Sequence, residues 1–245
     1  MKLIKADNYQ MWCIENQDHS ILIDPWLSKK LKPKNAFFIQ RRKEKETILN
    51  EEEINKVNSI IITAPFDDHL HIESINKFPN STTIYTSEIV KKVLLKNNII
   101  NPIKILSETK TKINLLNVRA LPTSYPYYNS TFSLLFEDMF GNKIFHEGHR
   151  VNFNYINQNN IKADVAILTN EETNLFGFIQ LGMNHNKALK ACKCLGAKSM
   201  FVTGNNPTKT EGFIKYFLST KKVNDVTNKN NVVIYSDEGD EYKFK

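Results

Sequence analysis

The sequence predicts an α/β fold in which mixed sheets are covered by outer helices. Three observations carry this prediction. Short apolar, β-branched runs outnumber the segments with helical period, three of those runs follow one another through tight turns, and two pairs of runs flank a helical pattern.

The strand-like runs are, in order, "SILIDPW" (20–26), "SIIITA" (59–64), "STTIYTS" (81–87), "KINLLNVRAL" (112–121), "STFSLLFED" (130–138), "NKIFHEG" (142–148), "ADVAILTN" (163–170), "SMFVTG" (199–204) and "NVVIYSD" (231–237). Each is short and bounded by Asn, Gly, Pro or Asp, residues that favour turns. Segments with a period near 3.6 are "LHIESINKF" (70–78), "TSEIVKKVLLKN" (86–97), "HNKALKACKCLGA" (185–197) and "TEGFIKYFLSTKKV" (210–223), and all four are expected to be helical. The runs at 111–119, 131–138 and 143–147, joined by turns such as "FGNK", predict an antiparallel meander. Strands 59–64 and 82–87 flank one helix, and 164–169 and 199–203 flank another, so each trio predicts a parallel βαβ unit. With 245 residues and no repeat, low-complexity tract or Pro- or Gly-rich linker, residues 1–245 are expected to form one domain.

Composition narrows the class. Apolar residues make up 41 % and aromatics 11 % of the chain, ordinary for a globular protein. No apolar run approaches the roughly 18 residues of a membrane span, and "MKLIKADNYQMWCIENQ" lacks the apolar stretch of a signal peptide. A cytoplasmic protein that does not act in a membrane is expected. The three cysteines, Cys13, Cys192 and Cys194, leave an odd count and no disulfide framework. Cys192 and Cys194 sit two apart on a predicted helix, where they do not share a face, and read as core thiols.

The net charge is +7, and much of it crowds into Lys29, Lys30, Lys32, Lys34, Arg41, Arg42, Lys43 and Lys45. Such a cluster can attract phosphate or nucleic acid. Glu44 and Glu46 interrupt it and no aromatics interleave it regularly, which argues against nucleic acid and favours a solvated loop.

Chemistry concentrates at strand ends. Asp24 and Pro25 close the first run, where the carboxylate can form a turn or support a neighbouring site. "TAPFDDHLH" places Asp67, Asp68, His69 and His71 after a buried strand, where loops of an α/β sheet converge on a crevice and can hold a divalent metal. Either aspartate could instead cap a helix starting near Leu70, with Glu73 in its first turn, but a cap leaves two histidines unexplained. "IFHEGHR" puts His146 on a strand and His149 beyond it, free to point into the same crevice.

Together these pieces resemble the metallo-β-lactamase superfamily, from about residue 10 to residue 215. "DPWL" (24–27) matches a stretch common in one branch, the family's HxHxDH motif falls on Ala64, Pro65, Phe66, Asp67, Asp68 and His69, and its "GD" turn falls on Gly148 and His149. "ADVAILTN" followed by "LGMNHNKALKACKCLGAK" resembles a later family pattern. The resemblance implies a four-layer αββα sandwich of two mixed sheets flanked by helices. It also shows what is missing. Ala64 and Phe66 replace both histidines of HxH, Ser124 stands where the next ligand is expected, and Gly204 and Asn205 replace the last.

The surviving set, Asp68, His69 and His149 with His71 as an addition, resembles a divergent "DDHxH" branch. It implies one divalent metal, Zn or else Mn or Fe, activating water for hydrolysis of an ester, lactone or phosphoester, with Asp68 and His69 as the catalytic pair. The competing expectation is a pseudo-enzyme without metal that binds a ligand or partner, with Asp68 and His69 only hydrogen-bonded. In either case the basic segment could attract a small anionic molecule, and Tyr125, Tyr127 and Tyr128 either line the mouth of the site or pack together in a surface hairpin.

Overall fold

The computed structural model describes residues 1–31, 37, 40–43, 46–204, 209–221, 223 and 231–244. Two seven-stranded sheets face each other across the main core. In the first, the order is Glu241–Lys243, Lys2–Lys5, Trp12–Asn16, His19–Ile23, Ser59–Ile61, Thr83–Thr86, Ile103–Ile105. In the second it is Val233–Tyr235, Ser199–Thr203, Val165–Thr169, Lys143–His146, Phe132–Glu137, Leu116–Pro122, Thr111–Ile113.

Each sheet is antiparallel at one side and parallel at the other. Strands from Thr111 to His146 form the expected meander, with Leu134 opposite His146. The two βαβ pairs are parallel, Ile60 beside Ile84 and Ile167 beside Phe201. Period-two alternation sends Trp12, Ile14, Ile21, Ile23 and Ile61 of the first sheet against Val118, Leu134, Phe136, Ile144, Ile167 and Phe201 of the second. The opposite faces are covered by helices. Val90 and Leu94 of the helix Glu88–Lys96 pack under the first sheet, and Ala188, Ala191, Cys192 and Leu195 of the helix His185–Leu195 pack under the second. These layers make the αββα sandwich.

Helix ends follow local chemistry. Ser87 and Asn184 accept from backbone amides one turn on, and Gly196 ends the second helix at φ 75°, a left-handed conformation that costs glycine little. Cys192 is buried there as a core thiol and Cys194 is partly exposed. Among the described residues no helix is long and apolar enough to cross a membrane.

Two segments depart from expectation. The stretch 210–223 is not one helix: Lys209–Glu211 and Leu218–Lys221 are strands around a 3₁₀ turn, Phe213–Tyr216. Gly212, at φ 89°, interrupts any helix there, and backbone pairing of Thr210 with Arg41 and of Leu218 with Leu175 outweighs helical periodicity. In the segment 29–45, Lys32, Lys34 and Lys45 lie outside the described residues. Lys43 is not solvated. It is fully buried, donating to Asp7 Oδ2 at 2.9 Å and to the Trp26 carbonyl. Gln40–Arg42 instead forms the middle strand of a small sheet between Lys30–Leu31 and Lys209–Glu211.

Candidate functional site

The parallel strands place their carboxyl ends together, and Asp24, Asp68, His69 and His149 follow these ends, whereas Tyr9 and Arg41 come from other segments. The strand His19–Ile23 ends at Asp24, held at φ 48° with its amide donating to the Ile61 carbonyl. In this position its buried carboxylate accepts the Thr63 amide (2.8 Å) and the Thr63 hydroxyl (2.6 Å). The His69 Nδ1 atom lies 2.7 Å from the same carboxylate. The Asp24 contact therefore assigns the proton to Nδ1 and leaves Nε2 as an acceptor, and this Nε2 is buried with no hydrogen-bond partner. Burial alone would lower the His69 pKa, but the Asp24 charge and hydrogen bond outweigh it and raise the value above the ordinary one.

Asp68 points to a different set of partners. Its Oδ2 accepts the Tyr9 hydroxyl at 2.9 Å and lies 3.3 Å from Arg41 Nε, while Gln10 Nε2 holds its backbone carbonyl at 2.6 Å. Arg41 Nη1 also donates to the Tyr9 hydroxyl. Desolvation would raise the Asp68 pKa, yet Arg41, together with His69, His149 and the Tyr9 bond, holds it well below the usual carboxylate range.

The second sheet supplies the opposite wall. After Lys143–His146 the chain turns sharply through Gly148 (φ 56°) and His149 (φ 79°), with the Ser133 hydroxyl on the Glu147 carbonyl and the Thr131 hydroxyl on the Gly148 carbonyl. The glycine is required sterically, since a Cβ at 148 would stand 2.2 Å from the Phe132 carbonyl oxygen. The turn brings the His149 ring to 4.5 Å from that of His69, stacked at 4.5 Å on Tyr127, and its Nε2 is likewise buried and unpartnered. Burial, then the neighbouring His69, pushes the His149 pKa well down. Burial also lowers His146 to about 4 and raises Glu147 to about 8, against the pull of the Thr169 hydroxyl and amide.

A cavity of about 350 Å³ adjoins these groups, and Tyr9, Arg41, His69, Tyr127, His146 and His149 are among the residues lining it. The structure thus brings Asp68, His69 and His149 together. It does not bring His71, whose Nδ1 lies 2.7 Å from the Ser74 hydroxyl and whose ring packs near Trp26. The Ser74 hydroxyl in turn accepts the Leu27 amide, so His71 braces the "DPWL" segment from behind. Neither aspartate caps the following helix. That helix starts at Ile72, after His71, without a side-chain cap.

The positions where the motif departs have other uses. Phe66 sets its ring near His69, Tyr127 and His149, Ala64 is fully buried, and the Ser124 hydroxyl donates to the Val151 carbonyl. Gly204 lines the cavity, and Asn205 lies outside the described residues. Of the three tyrosines, Tyr127 reaches the cavity, whereas Tyr125 and Tyr128 are exposed.

A divalent metal fits this arrangement poorly. Among the described residues no group of three His, Cys, Asp or Glu side chains is placed to hold one, and the carboxylate that would be the third ligand is engaged by a guanidinium. Tyr9, Arg41, His146 and Glu147 are among the cavity residues that sequence reasoning did not single out as site candidates. For Arg41 the only signal was the basic segment expected near the mouth, and for Tyr9 there was none.

Comparisons with known proteins agree with the fold. A structure of a possible metal-dependent hydrolase from Veillonella parvula is similar at a TM-score of 0.77 and 14% identity, covering 100% of this chain and 99% of that one. An isothiocyanate hydrolase from Delia radicum gut bacteria gives 0.74 and 15% over the same shares. Igni18, a metallo hydrolase from the archaeon Ignicoccus hospitalis, gives 0.65 and 16%, again covering 100% and 99%. At these identities the likeness is one of fold. A comparison with curated proteins finds no match. The family described as "Beta-lactamase superfamily domain" matches residues 8–203, most of the chain, and with the αββα sandwich in place the chain belongs to that family.

Proposed function

We propose that this chain is a small-molecule hydrolase acting on an ester, lactone or phosphoester in the cavity between its two sheets, with His69 as the acid–base group. The observation that carries this reading is the buried His69–Asp24 pair at the cavity wall, with Nδ1 fixed by a carboxylate at 2.7 Å and Nε2 without a hydrogen-bond partner. A pair so oriented can take a proton from water as its oxygen attacks a carbonyl carbon or phosphorus, and return it to the leaving oxygen. Asp24 stabilises the imidazolium formed between these steps, and its two bonds from Thr63 hold its carboxylate in place. Tyr127 and Phe66 close the ring surfaces of the two histidines against water.

The reading is tested by assaying the purified chain against a panel of aryl esters, lactones and phosphodiesters, beside His69→Gln. Turnover that the variant loses by about 10²-fold or more supports it. Absence of turnover on the whole panel overturns it.

One observation favours a second reading, in which the cavity binds without turning over. Phe66 takes a position that the family motif gives to histidine, and its ring packs on both remaining imidazoles. Under that reading, panel compounds raise the melting temperature of the chain and are recovered unchanged.

A further inference from the structure

Arg41 reaches the site on an arm that belongs to neither large sheet. Its strand pairs with Lys30–Leu31 on one side and Lys209–Glu211 on the other, with Thr210 beside Arg41. From there the side chain enters the cavity beneath Tyr9, its guanidinium carbon 5.5 Å from the centre of that ring, and meets the Asp68 carboxylate. The meeting point is specific. Asp68 is the carboxylate expected to hold a metal, and His69 and His149, whose Nε2 atoms are buried and unpartnered, line the cavity with their rings 4.5 Å apart. The carboxylate and the two imidazoles that the family pattern would turn to a divalent cation therefore stand beside a permanent positive charge. A guanidinium stays protonated at any ordinary pH and neutralises one carboxylate with directed N–H donors.

We propose that the Arg41 guanidinium stands in for the metal ion of this fold, so that the site is assembled and charge-balanced without a divalent cation. The donor set is consistent with that exchange. Arg41 donates to the Tyr9 hydroxyl, which donates to Asp68 Oδ2, a relay in which each oxygen is used in its proper sense, and Arg41 Nε stands 3.3 Å from that same carboxylate oxygen. A cation entering among Asp68, His69 and His149 would be repelled by the guanidinium and would have to break the Arg41–Asp68 contact to gain its third ligand. The inference holds independently of whether the cavity hydrolyses its ligand.

The test is metal uptake, read directly. Wild-type protein and the variants Arg41→Ala and Arg41→Met, the second retaining the apolar stem in case the first does not fold, are dialysed against zinc, passed through a desalting column and analysed for metal, with circular dichroism to confirm the fold. The wild type is expected to retain well under one equivalent, and a folded Arg41 variant about one equivalent, lost again when His69→Ala is added. Wild-type protein that holds a full equivalent dependent on His69, or folded Arg41 variants that hold no more zinc than wild type, would overturn the proposal. Because metal content is measured without substrate, failure of the hydrolase reading leaves this result standing, and the reverse is also true.

Discussion

His69 and Asp24, 45 residues apart in the chain, meet at 2.7 Å because their strands lie side by side and end at the same edge. The parallel pairing of Leu22 with Ile60 fixes the strand ends, and Thr63 closes the gap by donating twice to Asp24. The contact sets which ring nitrogen is left open, so it can be probed without touching His69.

Asp24→Asn keeps the shape and removes the charge. The His69 pKa, raised in the wild type by Asp24, should fall, and any turnover that depends on a fixed Nε2 acceptor should fall by about 10²–10⁴-fold. An NMR titration of the His69 ring measures the first effect and steady-state rates the second. An unchanged His69 titration would show that the contact does not control the ring.

Gly148→Ala should be costly. The added methyl would meet the Phe132 carbonyl at 2.2 Å in a backbone already at φ 56°, so the turn carrying His149 must shift. A loss of at least about 2 kcal/mol in chemical denaturation is expected. An alanine at Gly141, also at positive φ but with nothing within 4 Å, serves as the control that isolates the clash from backbone strain.

Glu147 gives a pH signature. Its folded value of about 8 lies above the ordinary 4.5, so between those values the native state holds a proton that the unfolded chain has released. Its contribution to stability is complete below pH 4.5 and is lost as the pH rises toward 8. Glu147→Gln cannot lose that proton. Relative to wild type it should therefore be more stable at pH 8 than at pH 5, by a difference of a few kcal/mol in the two denaturation curves. An equal difference at both pH values would refute the buried-acid assignment.

His71→Ala should separate structure from chemistry. The ring braces Ser74 and Trp26 and takes no part in the cavity, so stability should drop by about 1–3 kcal/mol while cavity chemistry is retained in the folded fraction. Loss of turnover in fully folded protein would place His71 back among the site residues.

Much of the fold was legible because its signals are local. Alternation in "SIIITA" and "STFSLLFED", and the turn in "FGNK", reflect burial of one or both strand faces and turn chemistry, both of which are written in neighbouring residues. The clustering of Asp68, His69 and His149 was legible for a related reason: each follows a strand, and strands of one layer end together. Arg41, Tyr9 and Glu147 were not, since nothing near them in sequence says which wall of a cavity they will face. The segment 210–223 misled because its helical period is satisfied equally well by alternating contacts with Gln40–Arg42 and Glu172–Leu175, partners far away in the chain. Lys43 was read as solvated because charge alone predicts exposure; its buried partner Asp7 comes from a different segment.

The small sheet joining Lys30–Leu31, Gln40–Arg42 and Lys209–Glu211 has a consequence for the order of assembly. Its pairing of Arg41 with Thr210 closes a loop of most of the chain, the kind of contact whose entropy cost is met only after shorter-range structure exists. A nascent chain released up to residue 203, where the family's own match ends, would contain Asp24, Asp68, His69 and His149 and the Lys30–Leu31 partner of the Arg41 strand, but not Lys209–Glu211, which pairs with that strand from the other side. The cavity wall that includes Thr210, Ile214 and Leu218 is therefore completed only after Lys209–Lys221 has emerged and paired with Gln40–Arg42 and Glu172–Leu175.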